Sequence, residues 1–143
     1  SGVAALNIIP DRNFTAGVKD QKLANLYEIV ELANRLHLPI IVGTEMNSPG
    51  QKFVDDFDSE ELSPLVPVFL KGAHIFYAHT VLQRAGGMGL VSDWANSSFT
   101  NVEERNEFFR DLGYRCRPSK ENKLEGIDSS MNPNEVFDRL GIR

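Results

Sequence analysis

The chain opens on an apolar run with little alternation: Val3, Ala4, Ala5, Leu6, Ile8 and Ile9. Such a run suits a strand covered on both faces, as in a parallel sheet. Pro10 ends it, because proline lacks the N–H that a ladder needs. Asp11-Arg12-Asn13-Phe14-Thr15-Ala16-Gly17 reads as a loop. Leu23, Leu26, Tyr27, Val30, Ala33 and Leu36 then recur at three- and four-residue spacing and predict a helix from Lys19 to Leu36. Lys22, Asn25, Glu28 and Arg35 fall off that stripe and should face water. His37 and Pro39 mark the stop. A second apolar run, Leu38 to Val42, leads straight into Glu45 and Asn47. Strand, helix, strand over this span is a βαβ unit, which requires parallel strands and a right-handed crossover.

Beyond it, Ser48-Pro49-Gly50-Gln51 is turn chemistry. Phe53, Val54 and Phe57 anchor a strongly acidic stretch containing Asp55, Asp56, Asp58, Glu60 and Glu61. Leu65, Val68, Phe69, Gly72, Ile75, Phe76, His79 and Leu82 carry a helical period. They predict a helix from Pro64 to Ala85 in preference to a third strand at Ile75-Phe76-Tyr77, with Gly86-Gly87 as its stop. Ser92 caps a short helix beginning at Asp93. Asn101 caps another from Val102 to Leu112, with Glu104 as capping-box partner and Gly113 as terminator. Pro118 to Ser130 is polar and reads as a loose loop. Asn132-Pro133-Asn134-Glu135 is a helix start that serves a short closing helix, Val136 to Leu140. The expected architecture is a single α/β domain over residues 3–143, a βαβ unit followed by a mostly helical C-terminal half. Ser1-Gly2 reads as a cloning remnant, and the immediate apolar start as a fragment of a longer protein lacking its N-terminal part.

Composition narrows the function classes. The 143 residues are 41% hydrophobic and 24% charged, with a net charge of -5, as in an ordinary globular domain. An acidic chain without a clustered basic stripe argues against nucleic acid and against an anionic membrane surface, since both need local positive potential. Arg110, Arg115, Arg117 and Lys120 are interleaved with Asp111 and Glu121 and read as a solvated face. No uninterrupted apolar run reaches the ~18 residues of a membrane span. Cys116 is the only cysteine, so no internal disulfide can form, which fits a reducing, cytoplasmic compartment. Its neighbours Arg115 and Arg117 favour a lowered thiol pKa, but no histidine lies nearby in sequence, and a structural role is the expectation.

Candidate chemistry concentrates after the two strands. Parallel strands end on the same edge, so Asp11, Arg12, Asn13, Glu45 and Asn47 are expected on one rim, the place where α/β folds build sites. Glu45 can ligate a metal, act as a general base or grip a hydroxyl, and Asp11 has the same options. Arg12 can hold a phosphate or carboxylate bidentately. Asn13 and Asn47 can orient either. The structural alternative has Asp11 and Asn13 capping the following turn and Glu45 pairing with Arg12. His37, at a helix end, suits a capping role. His74 and His79 are separated by ~140° around a helix and cannot both meet one metal. His79 is either a core histidine or a ligand. Gly86-Gly87-Met88-Gly89 lacks the flanking elements of a phosphate loop. Asp55, Asp56 and Asp58 lack the EF-hand spacing. Trp94 is expected to pack.

Three segments together resemble PHP-like proteins, the family named for polymerase and histidinol phosphatase. They are Asp11-Arg12-Asn13, the run from Val42-Gly43-Thr44-Glu45-Met46-Asn47 through Asp55-Asp56-Phe57, and Tyr77-Ala78-His79-Thr80. The resemblance spans about residues 4–112 and is to the family's C-terminal part. It implies a βαβ fragment of a (β/α) barrel and a divalent metal (Mn, Zn or Mg) used to hydrolyse a small phosphorylated substrate. It further implies Glu45 and His79 as metal ligands, Asp11 and Arg12 in catalysis, and Asn13 and Asn47 at the substrate. The family's His-x-His pair and terminal Asp-x-His do not occur in this chain. Two or three strands cannot close a barrel, so the sheet edges call for the missing N-terminal segment or a second copy of the chain. Two other readings stand beside this one. One is a non-catalytic protein-interaction domain, which the acidic helical half favours. The other is a sugar- or nucleotide-binding α/β module, which Asn13, Asn47 and Trp94 favour.

Overall fold

A computed structural model describes residues 2–10, 19–44, 49–50 and 53–141. The chain divides into two compact units, Ser1–Lys71 and Gly72–Arg143, and the division falls inside a helix. In the first unit, β1 (Leu6–Ile8) and β2 (Ile40–Val42) pair in parallel, with Leu6 opposite Ile40, Asn7 opposite Ile41 and Ile8 opposite Val42. Helix α1 (Lys19–Arg35) connects them in sequence. Its Leu26, Val30 and Ala33 are buried with Ile40, Leu62, Leu65 and Phe69, and Leu6, Ile8 and Val42 pack against that cluster.

The boundaries of α1 follow its apolar stripe, and its end has a backbone cause. His37 adopts φ 52°. Its N–H donates to Asn34 O and the Leu38 N–H to Ala33 O, at 3.1 and 2.8 Å. That is the Schellman arrangement, with a histidine where glycine is usual. His37 thus ends the helix through its backbone conformation.

In the second unit, α2 (Val66–Gly86, beginning in the first unit), α3 (Asp93–Ser98), α4 (Val102–Arg115) and α5 (Pro133–Leu140) follow in order. Ile75, Ala78, Leu82, Met88, Trp94, Phe109, Leu112, Leu124, Val136 and Leu140 form one buried cluster. Caps form at all three expected helix starts, although Glu104 accepts from Thr100 N at 3.1 Å and not from Asn101 N, so the capping box expected there does not close. Ser92 accepts from Ala95 N, and Asn101 from Glu104 N. Asn132 accepts from Asn134 and Glu135 N, while the Glu135 carboxylate accepts from Asn132 N, completing a capping box.

The fold class departs from expectation. Of the described residues, 61% are helical and the two strands are three residues long. The chain is a mostly helical protein with a small parallel pair, not an α/β (β/α)-barrel fragment. Two physical reasons stand out. The long apolar segment after Ser63 satisfies its backbone within a helix, and only Leu6 to Ile8 of the first apolar run finds a partner strand. Nor is the sheet covered on both faces, because Asn7 is exposed.

Three further details differ. Gly113 lies inside α4 and does not stop it. A Cβ there would collide with the backbone carbonyl of His74, lying 2.6 Å from its carbon, so the glycine permits close approach of α4 to α2. Pro118–Leu124 is a 3₁₀ helix, with Leu124 and the nearby Ile127 buried, where a loose loop was expected. Finally, the segment Ser63–Gly86 has the length and composition of a membrane span, with a mean hydropathy of 1.3 in its most apolar window. Core helices of soluble proteins share that property, and its Phe69, Ile75, Ala78, Val81 and Leu82 are buried in the two clusters.

Candidate functional site

The expected rim belongs to the first unit. The ladder closes with Leu6 N–H donating to Pro39 O (2.9 Å) and Gly43 N–H to Ile8 O (2.8 Å). Pro10, two residues past β1, is fully buried, and Thr44, two residues past β2, is exposed. With Ile8 opposite Val42, both chain segments leave the sheet at one edge. Asp11, Arg12 and Asn13 follow Pro10 in sequence, and Glu45 and Asn47 follow Thr44. These five lie outside the described residues.

His79 belongs to the second unit, on α2. Its Nδ1 accepts the Leu90 N–H at 2.9 Å, and its ring meets that of Phe76 edge-on at 6.1 Å between centroids. Gln83, one turn further along α2, accepts the Gly89 N–H through Oε1 at 3.1 Å. The two side chains hold the loop that follows α2. A Cβ on Gly89 would lie 2.5 Å from Gln83 Oε1 and 2.7 Å from His79 Nδ1, so glycine is what lets the loop backbone approach. This is the part played by the Gly86–Gly89 run. The bond also fixes the tautomer: a neutral imidazole that accepts at Nδ1 carries its proton on Nε2. Ligating a metal through Nε2 would require moving that proton to Nδ1 and losing Leu90. Among the described residues no group of three or more His, Cys, Asp or Glu side chains is placed to hold a metal ion.

A polar cluster that the sequence did not single out joins α2 to the 3₁₀ helix. Tyr77 OH donates to Glu121 Oε1 at 2.8 Å, and Arg84 Nη2 donates to Glu121 Oε2 at 2.5 Å. Burial, reinforced by the Glu121 carboxylate, holds the Tyr77 phenol well above its usual range. Burial likewise pushes the Cys116 thiol up, outweighing the partial relief from the nearby Tyr77 hydroxyl. Arg115 and Arg117 point no charge at it strong enough to reverse this, because both are exposed. The thiol and the phenol are therefore protonated near neutrality, and Glu121 is engaged twice. An open groove of about 370 Å³, lined by Val81, Arg84, Ala85, Glu121, Asn122 and Glu125, runs beside the cluster. The cluster offers no activated nucleophile and serves to fix the 3₁₀ helix. Tyr77 and Glu121 are 44 residues apart, so no local pattern could have linked them.

Trp94 packs as expected. It is 5% exposed, and its Nε1–H donates to Met131 O at 2.7 Å. His74 stacks edge-on with Tyr114 at 5.5 Å. Compared with known proteins, the chain matches no family model, no curated protein and no solved structure.

Proposed function

We propose that the chain supplies a metal-dependent phosphoester hydrolase site of PHP-like character at the C-terminal edge of β1 and β2. One observation carries this reading. The parallel register places Pro10 and Thr44 at the same sheet edge, so the polar segments Asp11-Arg12-Asn13 and Glu45-Met46-Asn47 set out from one rim. In this reading Glu45 is a metal ligand, and Asp11 is a second ligand or the base that takes a proton from water. Arg12 holds the phosphoryl oxygens bidentately, and Asn13 and Asn47 orient the ester. With His79 committed to Leu90, the donors offered are carboxylate and carboxamide oxygens, a hard set that suits Mg²⁺ or Mn²⁺ better than Zn²⁺. Such an ion, when bound, polarises the phosphoryl oxygen and lowers the pKa of a coordinated water.

A two-stranded parallel sheet seldom stands alone, since its edges and second face need cover. That supports a further segment of the polypeptide, or a second copy, beside it. A single cysteine, which leaves no internal disulfide to form, is in keeping with a reducing compartment, the cytoplasm. Calorimetric titration with Mn²⁺ tests the function. Binding by the native chain that disappears in Glu45→Gln at unchanged melting temperature supports it. Equal affinity in the two proteins removes it.

A second reading rests on a different observation. Ile29 and Leu32 on α1, and Leu36 directly after its end, are 46%, 44% and 56% exposed. An apolar stripe of this kind suits docking against another helix, as in a non-catalytic interaction domain. Under that reading Leu32→Glu abolishes self-association or partner binding, and metal titrations stay flat.

A further inference from the structure

One flank of α1 is bare. Ile29 and Leu32 are exposed, and so is Leu36, which continues the helical path with its N–H donating to Leu32 O at 3.0 Å. At about 100° per residue, these three centre roughly a quarter-turn from the buried stripe of Leu26, Val30 and Ala33. Tyr27 lies roughly a quarter-turn the other way. That flank is covered, because the Tyr27 hydroxyl donates to Glu61 O at 2.9 Å.

The outer edge of β1 is open as well. Leu6 and Ile8 turn their backbone groups to β2, with Leu6 N–H donating to Pro39 O and Ile8 O accepting from Gly43 N–H. Backbone direction alternates along a strand, so the Asn7 N–H and C=O point out of the far edge. Among the described residues β1 has no partner strand there. Natural sheets blunt such an edge with a charge, a proline or a bulge, yet Val3 to Ile9 holds neither a charge nor a proline. A right-handed crossover brings the two features together. Viewed with α1 in front of strands that point up, β1 stands to the left of β2. The right-handed winding of α1, which runs downward, carries its bare flank to the left too. The stripe therefore overhangs the β1 edge. Tyr27 overhangs β2, in keeping with the position of Glu61 after β2 in the chain.

We infer that a second copy of the chain docks on this side about a two-fold axis perpendicular to the sheet. β1 pairs antiparallel with β1 of the other copy, Asn7 opposite Asn7, and the two α1 stripes pack side by side. This rests on the reading of α1 as a docking surface and is independent of the hydrolase reading. One axis satisfies both features at once, because the same rotation makes the edge strands antiparallel and the helices antiparallel. The charges agree with it. Glu28 and Arg35 are exposed and lie beyond the stripe, on the side away from the core. With Ile29 opposite Leu32 of the other copy, each Glu28 comes within one helical turn of the other copy's Arg35. A parallel pair would instead turn this charged flank toward Leu26 and Ala33, which offer it no charge. The stripe alone is a small patch beside the ~800 Å² per partner of a standard interface. The strand edge supplies further contact, and the dimer is weak and concentration-dependent.

Sedimentation equilibrium of the 143-residue chain tests this, with a reversible dimer expected between about 10 μM and 1 mM. Leu32→Glu weakens dimerisation about a hundredfold or more, since it buries a carboxylate against Ile29 of the other copy. Leu32 is exposed, so the dilute variant keeps the native circular dichroism. Glu28→Arg weakens the dimer about threefold, and adding Arg35→Glu restores it. Exchange of the Asn7 amide slows as the dimer fills. A native chain that stays monomeric at about 1 mM overturns the self-docking and leaves α1 free to dock another protein. A dimer indifferent to Leu32→Glu overturns both. A dimer that needs Leu32 but whose Asn7 exchange is independent of concentration, or which the charge swap does not restore, overturns the antiparallel arrangement.

Discussion

Replacing Gly113 with alanine separates the two reasons a protein can need a glycine. In an exposed helix interior the change stabilises by about 1 kcal/mol, because alanine has the better helix propensity. In α4 the added Cβ meets the His74 carbonyl, lying 2.6 Å from its carbon. That obstacle is backbone, and no rotamer change can move it. Bringing the carbon back to ordinary contact parts the helices by at least ~0.8 Å, more for the closer carbonyl oxygen, and even a gap of that size forfeits a quarter to a half of each dispersion contact it opens. The contacts at stake include Ile75, Ala78, Phe109 and Leu112, all in one buried cluster. Overpacking of this kind costs about 1–3 kcal/mol, and the rigid obstacle places it at the top of that range. After the propensity gain, the net loss is about 2 kcal/mol, a fall in melting temperature of roughly 10 °C for a unit this small. Urea unfolding followed by far-ultraviolet circular dichroism measures it. Gly126→Ala is the control: it has φ 76° but no neighbour within 4 Å of the new Cβ, and should cost only about 1 kcal/mol in backbone strain. A Gly113→Ala protein as stable as the native one refutes the close-approach argument.

Asn132→Ala removes the side-chain half of the α5 capping box, the acceptor for the Asn134 and Glu135 N–H groups, and should cost about 1 kcal/mol, read as a lower urea midpoint at constant slope. His79→Ala leaves the buried Leu90 N–H without its acceptor. Exchange of that amide should accelerate markedly and stability fall by about 1–3 kcal/mol, whereas unchanged exchange at Leu90 would show that the ring does not hold the loop. The folded pKa values of Cys116 and Tyr77 are both raised. The folded state therefore keeps these protons longer than the unfolded chain, and stability is fully present below about pH 8, where an unfolded thiol begins to ionise. It falls as pH rises toward the folded pKa values, first through Cys116 and then through Tyr77. Cys116→Ala should flatten the earlier part of that decline, and an identical pH profile in this variant would remove the thiol from the account.

What could be read from the sequence was local, and what could not was tertiary. The three helix starts at Ser92, Asn101 and Asn132 were visible because a cap and its partner lie within three residues of one another. Helix α1 was visible because one stripe repeats through it. The parallel pairing followed from the length of the crossover. Strand extent was not visible, because Val3 to Ala5 are as apolar as Leu6 to Ile8 and only a partner decides which residues pair. Gly113 has the appearance of a helix stop, and its role lies in His74, 39 positions away in sequence. Leu124 and Ile127 sit among polar residues without any period. The arginines around Cys116 pointed to a lowered pKa, but solvent screens them while burial acts on the thiol itself. At the site, the parallel edge was foreseeable. The acceptor bond of His79 to the Leu90 N–H spans eleven residues and could not be read from the sequence. Asn7 was in plain view as the one polar residue of an apolar strand, yet which edge its backbone faces needed the register with β2.

The claim that the edge of β1 and β2 is a metal-dependent site has a direct measurement. Mn²⁺ is paramagnetic and broadens the resonances of nearby nuclei, so substoichiometric Mn²⁺ added to the ¹⁵N-labelled chain reports where the ion sits. A site at this edge predicts selective loss of the Ile9, Gly43 and Thr44 amide signals, abolished by Glu45→Gln. Broadening centred instead on the acidic groove of Asp20, Glu60 and Glu61, or no selective broadening at all, would contradict it.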